Sequence, residues 1–200
     1  MLFRSWRENG LRMRVAVNIS GYQLRQDDLV SRIEAALVLN RIPPSRFTCE
    51  ITESVAMEDT QVTLQAFERL RRSGVHVSID DFGTGHSSLA ALRRLPAAEL
   101  KIDRAFVSDL ATSADARSIV QAIVKMAHTL ELHVVAEGVE TAAQRDLLVE
   151  MGCDELQGCL FAKPMTAQAL LLWASDDDAP ASAPGFRPSL FEETRPAALG

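Results

Sequence analysis

Lysine is nearly missing from this chain: of 21 basic residues only Lys101, Lys125 and Lys163 are lysines, and the rest are arginines. Positive charge is also outweighed, with 27 acidic residues and a net charge of -6. No basic stripe is available to neutralise a phosphate backbone, which excludes a nucleic-acid polymer as partner. Long apolar runs are lacking too. Stretches such as Ala167 to Ala174 fall far short of the roughly 20 residues that a bilayer span requires, so this chain carries no membrane span. Its first ten residues lack the apolar centre of a signal peptide. Cysteine is scarce, and Cys49, Cys153 and Cys159 have no CxxC spacing. That excludes zinc-ribbon and thioredoxin chemistry and fits a reducing, cytoplasmic compartment. All three are expected as small core residues.

What is present is enough for one domain: 200 residues, 47% of them apolar. Short β-branched runs alternate with longer amphipathic stretches, which points to βα units around a parallel sheet. The expected strands are Arg14 to Ile19, Phe47 to Thr52, His76 to Ile79, Leu100 to Ile102, His133 to Ala136 and Glu155 to Gln157. A helix is expected over Asp28 to Asn40, broken by Pro43-Pro44. Another starts at Asp59 or Thr60, shows Val62, Phe67 and Leu70 on one face and stops at Gly74. Ser113 to Leu130 carries a stripe of Ile119, Ile123, Met126 and Leu130. Thr141 opens a helix closed by Gly152, and Thr166 caps a last one ending near Trp173. Residues 175–200 hold Asp176-Asp177-Asp178, four prolines and no apolar period, and are expected to form a disordered tail, leaving 1–174 as the folded domain.

Parallel α/β barrels deliver their catalytic groups from the carboxyl ends of the strands. Here those ends read Val17-Asn18-Ile19-Ser20, Glu50-Ile51-Thr52-Glu53, Asp80-Asp81-Phe82-Gly83, Lys101-Ile102-Asp103, Glu137-Gly138-Val139-Glu140 and Gln157-Gly158. Asn18, Glu50, Asp80, Asp81, Lys101, Glu137 and Gln157 would face one mouth. Carboxylates gathered this way repel one another unless cations neutralise them. Hard oxygen donors without clustered His or Cys favour Mg2+ or Mn2+ over zinc. Adjacent Asp80 and Asp81 fit a bridge between two ions about 3.5–4 Å apart, the arrangement used for phosphate chemistry. Lys101, flanked by Leu100 and Ile102, needs anionic partners, either phosphate or a salt bridge such as one to Asp103. Gly83-Thr84-Gly85-His86-Ser87-Ser88 has the glycines and hydroxyls of a mobile loop leading into a helix, with His86 facing substrate. Glu53 and Glu140 could accept hydrogen bonds from that loop. His76, His128 and His133 are assigned no role. Asp-Phe-Gly occurs in kinases, but no Gly-rich nucleotide loop or His-Arg-Asp segment accompanies it.

Taken together, VNIS, EITES, DDFGTGHSS, LKIDRAFV, VVAEGVET and GCDELQG followed by Lys163-Pro164 closely resemble the EAL-domain phosphodiesterases of bacterial cyclic-di-GMP second-messenger signalling. The similarity runs from about Trp6 to Met165, with all six motifs in order. It implies an α/β fold, the EAL-type modified TIM (β/α)8 barrel, with about six of its eight strands in this chain. It implies hydrolysis of c-di-GMP to linear pGpG with two Mg2+ or Mn2+ ions, and inhibition by Ca2+. Asn18, Glu50 and Asp80 would ligate the first metal, with Asp80 bridging to a second site completed by Asp81 and Glu137. Lys101, Glu137 and Asp81 would be catalytic: Lys101 orients the attacking water, and Glu137 acts as ligand through water or as base. Gln157 and Glu140 would support the site, Glu53 would anchor the loop, and Gly83, Thr84, Gly85, His86 and Ser87 would meet substrate. A homodimer, or fusion to a sensory or diguanylate cyclase domain, is the expected assembly.

The sequence departs from that family in one large respect. No Glu-Ala-Leu tripeptide occurs, and the two strands that open the usual barrel are not found ahead of VNIS. Impaired activity, a weakened first metal and two open sheet edges are therefore expected, the edges leaving the chain marginally stable alone or closing against another copy. Smaller departures are His86, Cys159 and Ala162-Lys163. Three readings are weighed: a c-di-GMP phosphodiesterase, favoured by the intact Asp80-Asp81, Lys101 and Glu137 set; a non-enzymatic c-di-GMP receptor or interaction module, favoured by the missing Glu; and an unrelated Mg2+-dependent barrel enzyme with Lys101 as base, which fails on motif order and on the loop.

Overall fold

The computed structural model describes residues 13–58, 61–85 and 89–174. Among these residues six strands are found: β1 (Val15–Asn18), β2 (Phe47–Thr52), β3 (His76–Phe82), β4 (Glu99–Ile102), β5 (His133–Ala136) and β6 (Glu155–Leu156). They form one sheet in the order β1-β2-β3-β4-β5-β6. All five pairings are parallel. Each strand thus pairs with the strand next in sequence, and the helices between serve as crossovers on one side. That is the winding of a TIM-type barrel rather than of a doubly wound sheet, which reverses direction midway. The expected modified-barrel class is observed, as an arc of six strands.

The sheet has two unlike faces because side chains alternate along each strand. Facing the helices are Cys49 and Ile51, Val77 and Ile79, Leu100 and Ile102, Val134 and Ala136, all essentially inaccessible. They pack with Phe67, Leu70, Val120, Val124, Ala127 and Leu148 in one core. Burying each large member stabilises the fold by about 1.5–3 kcal/mol. The inner face instead carries Thr48, Ser78, Asp80, Glu99 and Lys101, all buried. A barrel lumen is normally filled by branched apolar residues. A polar one costs stability and marks where function resides.

Helix ends follow the expected chemistry. Thr141 caps Ala142–Glu150 in a capping box with Gln144. Ser113 accepts from Ala116 N–H at the start of Ala114–Thr129. Thr166 accepts from Ala169 N–H before Ala167–Ala174. Gly74 ends Gln61–Arg72 with φ +78°. Pro44–Arg46 is a single 3-10 turn after Leu29–Asn40.

Several expectations need correction. Val62 is 46% exposed, and the buried face of its helix is Thr63, Ala66, Phe67 and Leu70. In Ala114–Thr129 the buried stripe is Val120, Val124 and Ala127, while Ile119 points outward. Both stripes have helical spacing and differ by one residue. The small side chains let the helix approach the sheet closely, and Ile123, Met126 and Leu130 flank the contact. Cys159 is exposed, unlike Cys49 and Cys153. β3 runs three residues beyond Ile79, and β6 stops at Leu156. Asp59, Thr60, the start of the helix after the glycine loop and the tail at 175–200 lie outside the described residues. Among the described residues no helix is long and apolar enough to cross a membrane.

Candidate functional site

Even spacing puts Glu50 on β2, Asp80 on β3 and Lys101 on β4 on the inner face, at the carboxyl end of the arc. Glu137 follows β5 directly and is fixed there by its N–H donating to Ile102 C=O at 3.1 Å. Lys101 stands at the centre. Its ammonium lies 2.6 Å from Glu50, 3.1 Å from Asp80 and 2.5 Å from Glu137, and its side chain is 5% exposed. Burial works against the charged ammonium, but hydrogen bonds to Glu137 and Glu50 outweigh it, so the lysine pKa is raised. Glu137 is also shifted upward, mainly by burial and by the nearby Asp80 and Glu50, with Lys101 opposing. The anionic partners that Lys101 needs come from the neighbouring strands as this three-carboxylate cage, not from Asp103.

Asp80 and Asp81 could not both face inward in a regular strand, since successive residues point to opposite faces. The chain solves this with a bulge. The β3–β4 register shifts between Ile79 and Phe82, so three steps on β3 match two on β4. Asp81 takes φ +56°, left-handed geometry that Asp tolerates better than most residues. As a result Asp80, Asp81 and Glu137 place carboxylate oxygens within 4.8 Å of one another. Burial raises the pKa of Asp81, and Asp80 and Asp103 raise it further.

The glycine loop starts from this bulge. Glu53, 1% exposed at the start of the turn Glu53–Ala56, accepts from Gly83 N–H at 2.6 Å and Gly85 N–H at 3.3 Å. Thr84 turns back, its hydroxyl donating to Asp81 C=O at 2.9 Å. Gly83 has φ +98°, and a Cβ there would meet the Phe106 ring at 2.5 Å. The loop is thus held by a carboxylate on one side and a ring on the other.

Other expected residues sit less centrally. Asn18 is exposed on β1 beside its register partner Glu50. Gln157 is exposed, its N–H donating to Ala136 C=O and its C=O accepting from Val139 N–H. Glu140 is exposed and its backbone N–H donates to Gln144, while the Gly83 and Gly85 N–H groups of the loop donate to Glu53. His86 and Ser87 lie outside the described residues. Sequence reasoning missed Asp103 as neighbour of Asp81 and Phe106 as support of Gly83. The available signal was their position directly after Lys101, where a strand end enters a turn.

A cavity of about 230 Å3 descends the lumen from Glu50, Lys101 and Gln157 to Arg14, Glu99 and Glu155. Glu50 and Gln157 line its upper end, and the Asp80, Asp81 and Glu137 carboxylates gather beside Lys101, a set of hard oxygen donors suited to divalent cations. Lys101 also touches three acids at once, so the negative charge exceeds what one ammonium offsets. The residues fit Mg2+ or Mn2+.

The profile of the EAL domain family matches residues 2–164. The chain is 48% identical over 169 residues to MucR of Pseudomonas aeruginosa, named a bifunctional diguanylate cyclase/cyclic di-GMP phosphodiesterase, covering 84% of this chain and 25% of that protein. A solved MucR phosphodiesterase in complex with c-di-GMP superposes with a TM-score of 0.80 at 47% identity, covering 84% of this chain and 69% of that one. Klebsiella pneumoniae BlrP1, solved with manganese and cyclic-di-GMP, superposes with a TM-score of 0.76 at 29% identity, over 82% of this chain and 43% of that one. The chain spans about a quarter of the length of the curated MucR protein.

Proposed function

Because the chain belongs to the EAL domain family, we propose that it is a cyclic-di-GMP phosphodiesterase domain that opens c-di-GMP to linear pGpG. The observation that carries this reading is the cage of Glu50, Asp80 and Glu137 around Lys101, with Asp81 brought into the same pocket by the β3 bulge. Nothing in a barrel core calls for four carboxylates and a buried lysine at one end, whereas phosphodiester cleavage does.

Asn18, Glu50 and Asp80 would hold one divalent cation and Asp80, Asp81 and Glu137 a second, and such a pair supplies Lewis acidity and lowers the pKa of water. The chain's own groups do the rest. Lys101 offers a fixed ammonium to the phosphate as charge develops and orients the attacking water. Glu137, with its pKa raised by burial, is suited to take a proton from that water. Gly83, Thr84 and Gly85, tied to Glu53, cover the substrate side, with His86 and Ser87 following in sequence.

Glu-Ala-Leu is not among these 200 residues, so one carboxylate that the family resemblance gives to the first ion is not supplied by them. We expect weaker binding of that ion and slowed turnover for these residues by themselves. A second reading, a c-di-GMP receptor without turnover, is favoured by that single feature. In either case c-di-GMP is the partner and the cytoplasm the compartment, within a longer signalling protein or a homodimer. Incubating the purified chain with c-di-GMP and Mn2+ tests the choice. Release of pGpG, lost on adding Ca2+, supports the enzyme; saturable binding in Ca2+ without product in Mn2+ selects the receptor; neither result removes both.

A further inference from the structure

A second charged cluster lies at the other end of the lumen. Arg14 reaches from just before β1 to Glu155 of β6 at 3.0 Å and to Glu99 of β4 at 3.5 Å. His133, the first residue of β5, places Nε2 3.2 Å from Glu155 and Nδ1 3.7 Å from Asp154. Its pKa is raised, chiefly by the adjacent Glu155 carboxylate. Glu99 and His133 are direct register partners. The charged groups facing this histidine are therefore Glu99, Asp154, Glu155 and, beyond Glu155, Arg14. On the helix side His128 Nε2 lies 2.9 Å from Asp154.

The spacing of this cluster against the reactive end is regular. Arg14 is four residues before Asn18, Glu99 two before Lys101, His133 four before Glu137 and Glu155 two before Gln157. Even spacing means that each pair shares the inner face of its strand, separated by about 7 to 13 Å of backbone rise. Arg14, Glu99 and Glu155 line the same cavity as Glu50, Lys101 and Gln157. We propose that Arg14, Glu99, His133 and Glu155 form a charged floor of positioning residues that fixes where four strands deliver their functional ends. This assignment rests on reading the opposite end as the phosphodiesterase site.

The physical need for such a floor comes from the outer strands. Among the described residues β1 pairs only with β2 and β6 only with β5, and β6 contributes two register pairs. The Arg14–Glu155 pair spans the lumen from the first strand to the last. Without that guanidinium, the Glu99 and Glu155 carboxylates would face each other across one small space beside His133. Repulsion would tilt β6 outward and carry Gln157 with it. The Arg14 side chain is about a third exposed, so the pair adds little to global stability. Its effect should be local.

The test is Arg14→Met, which keeps most of the stem and removes the charge, with Arg14→Lys as the conservative variant. Amide exchange, corrected for intrinsic rates, should quicken about tenfold at Gln157 and Val139 in Arg14→Met while Ile79 and Leu100 stay unchanged. Arg14→Lys should restore most of the protection. Mn2+ alone, titrated into the variant, should bind about three- to tenfold more weakly. Adding Glu155→Gln to Arg14→Met should restore part of the protection at Gln157 and Val139, since it removes the repulsion between Glu99 and Glu155. Uniform exchange over all strands, or unchanged rates at Gln157 and Val139, overturns the proposal, as does Mn2+ affinity equal to the parent chain. Exchange needs no turnover, so a parent chain that does not hydrolyse c-di-GMP defeats the phosphodiesterase reading while the exchange pattern still decides the floor.

Discussion

Asp80 and Asp81 are adjacent in sequence, yet both carboxylates reach one pocket because Asp81 turns through φ +56° inside β3. The pocket therefore concentrates like charge at a bulged strand. Replacing Asp81 by Asn keeps a residue type that accepts left-handed backbone and removes the charge that burial and Asp80 disfavour. A carboxyl whose folded pKa is raised loses stability as pH climbs through its ordinary and then its raised value. Asp81→Asn should thus raise Tm in EDTA at pH 7 by about 2 °C. It should also lower c-di-GMP hydrolysis at least about 100-fold. Calorimetry and product chromatography check both; a fall in Tm would contradict the electrostatic account.

Lys101 offsets three acids at once. Lys101→Met should destabilise the metal-free chain by about 3–5 kcal/mol, because it leaves buried carboxylates facing one another. Added Mn2+ should then raise Tm more in the variant than in the parent chain, as the cation takes over that neutralising role. Equal Mn2+ shifts in the two proteins would mean that lysine and metal do not share the cage.

Glu53 tethers the loop without belonging to the charged cage. Glu53→Gln retains the shape but turns an acceptor-only group into one with an amide donor facing two N–H groups. Turnover should fall about tenfold or more, with Mn2+ affinity nearly unchanged. A matching loss of Mn2+ binding would place Glu53 among the ligands instead.

Much of this site was legible in the sequence because strand ends interrupt apolar runs with acids, and a barrel sends such ends to one rim. Glu50, Asp80, Lys101 and Glu137 could be found that way. The bulge could not, since Ser-Ile-Asp-Asp-Phe looks like a plain strand until its pairing with β4 is known. The stripe of Ala114–Thr129 was misread by one position because Val and Ala pack closest and the larger Ile and Met flank them. Residue type alone places Cys159 in the core, whereas it follows β6 in an exposed turn. The lower cluster stayed invisible because Arg14, Glu99, His133 and Glu155 are far apart along the chain and meet only when four strands close into an arc.

His133 gives the fold a pH signature. Its folded pKa lies above the ordinary value of 6.5, held up by Glu155. The histidine therefore contributes its full stabilisation below pH 6.5 and loses it as pH rises through the raised value. Melting curves from pH 6 upward should decline in the parent chain and flatten in His133→Gln. A parallel decline in both would assign the slope to other groups.

The unequal setting of the three thiols has a practical outcome. Cys49 and Cys153 lie buried with pKa values pushed up to about 12, while Cys159 stands in solvent two residues beyond Gln157. Thiolate is the form that alkylates, so a maleimide fluorophore should couple to one position in the native molecule. That single dye would sit beside the rim and report ligand arrival there by emission, with no engineered handle.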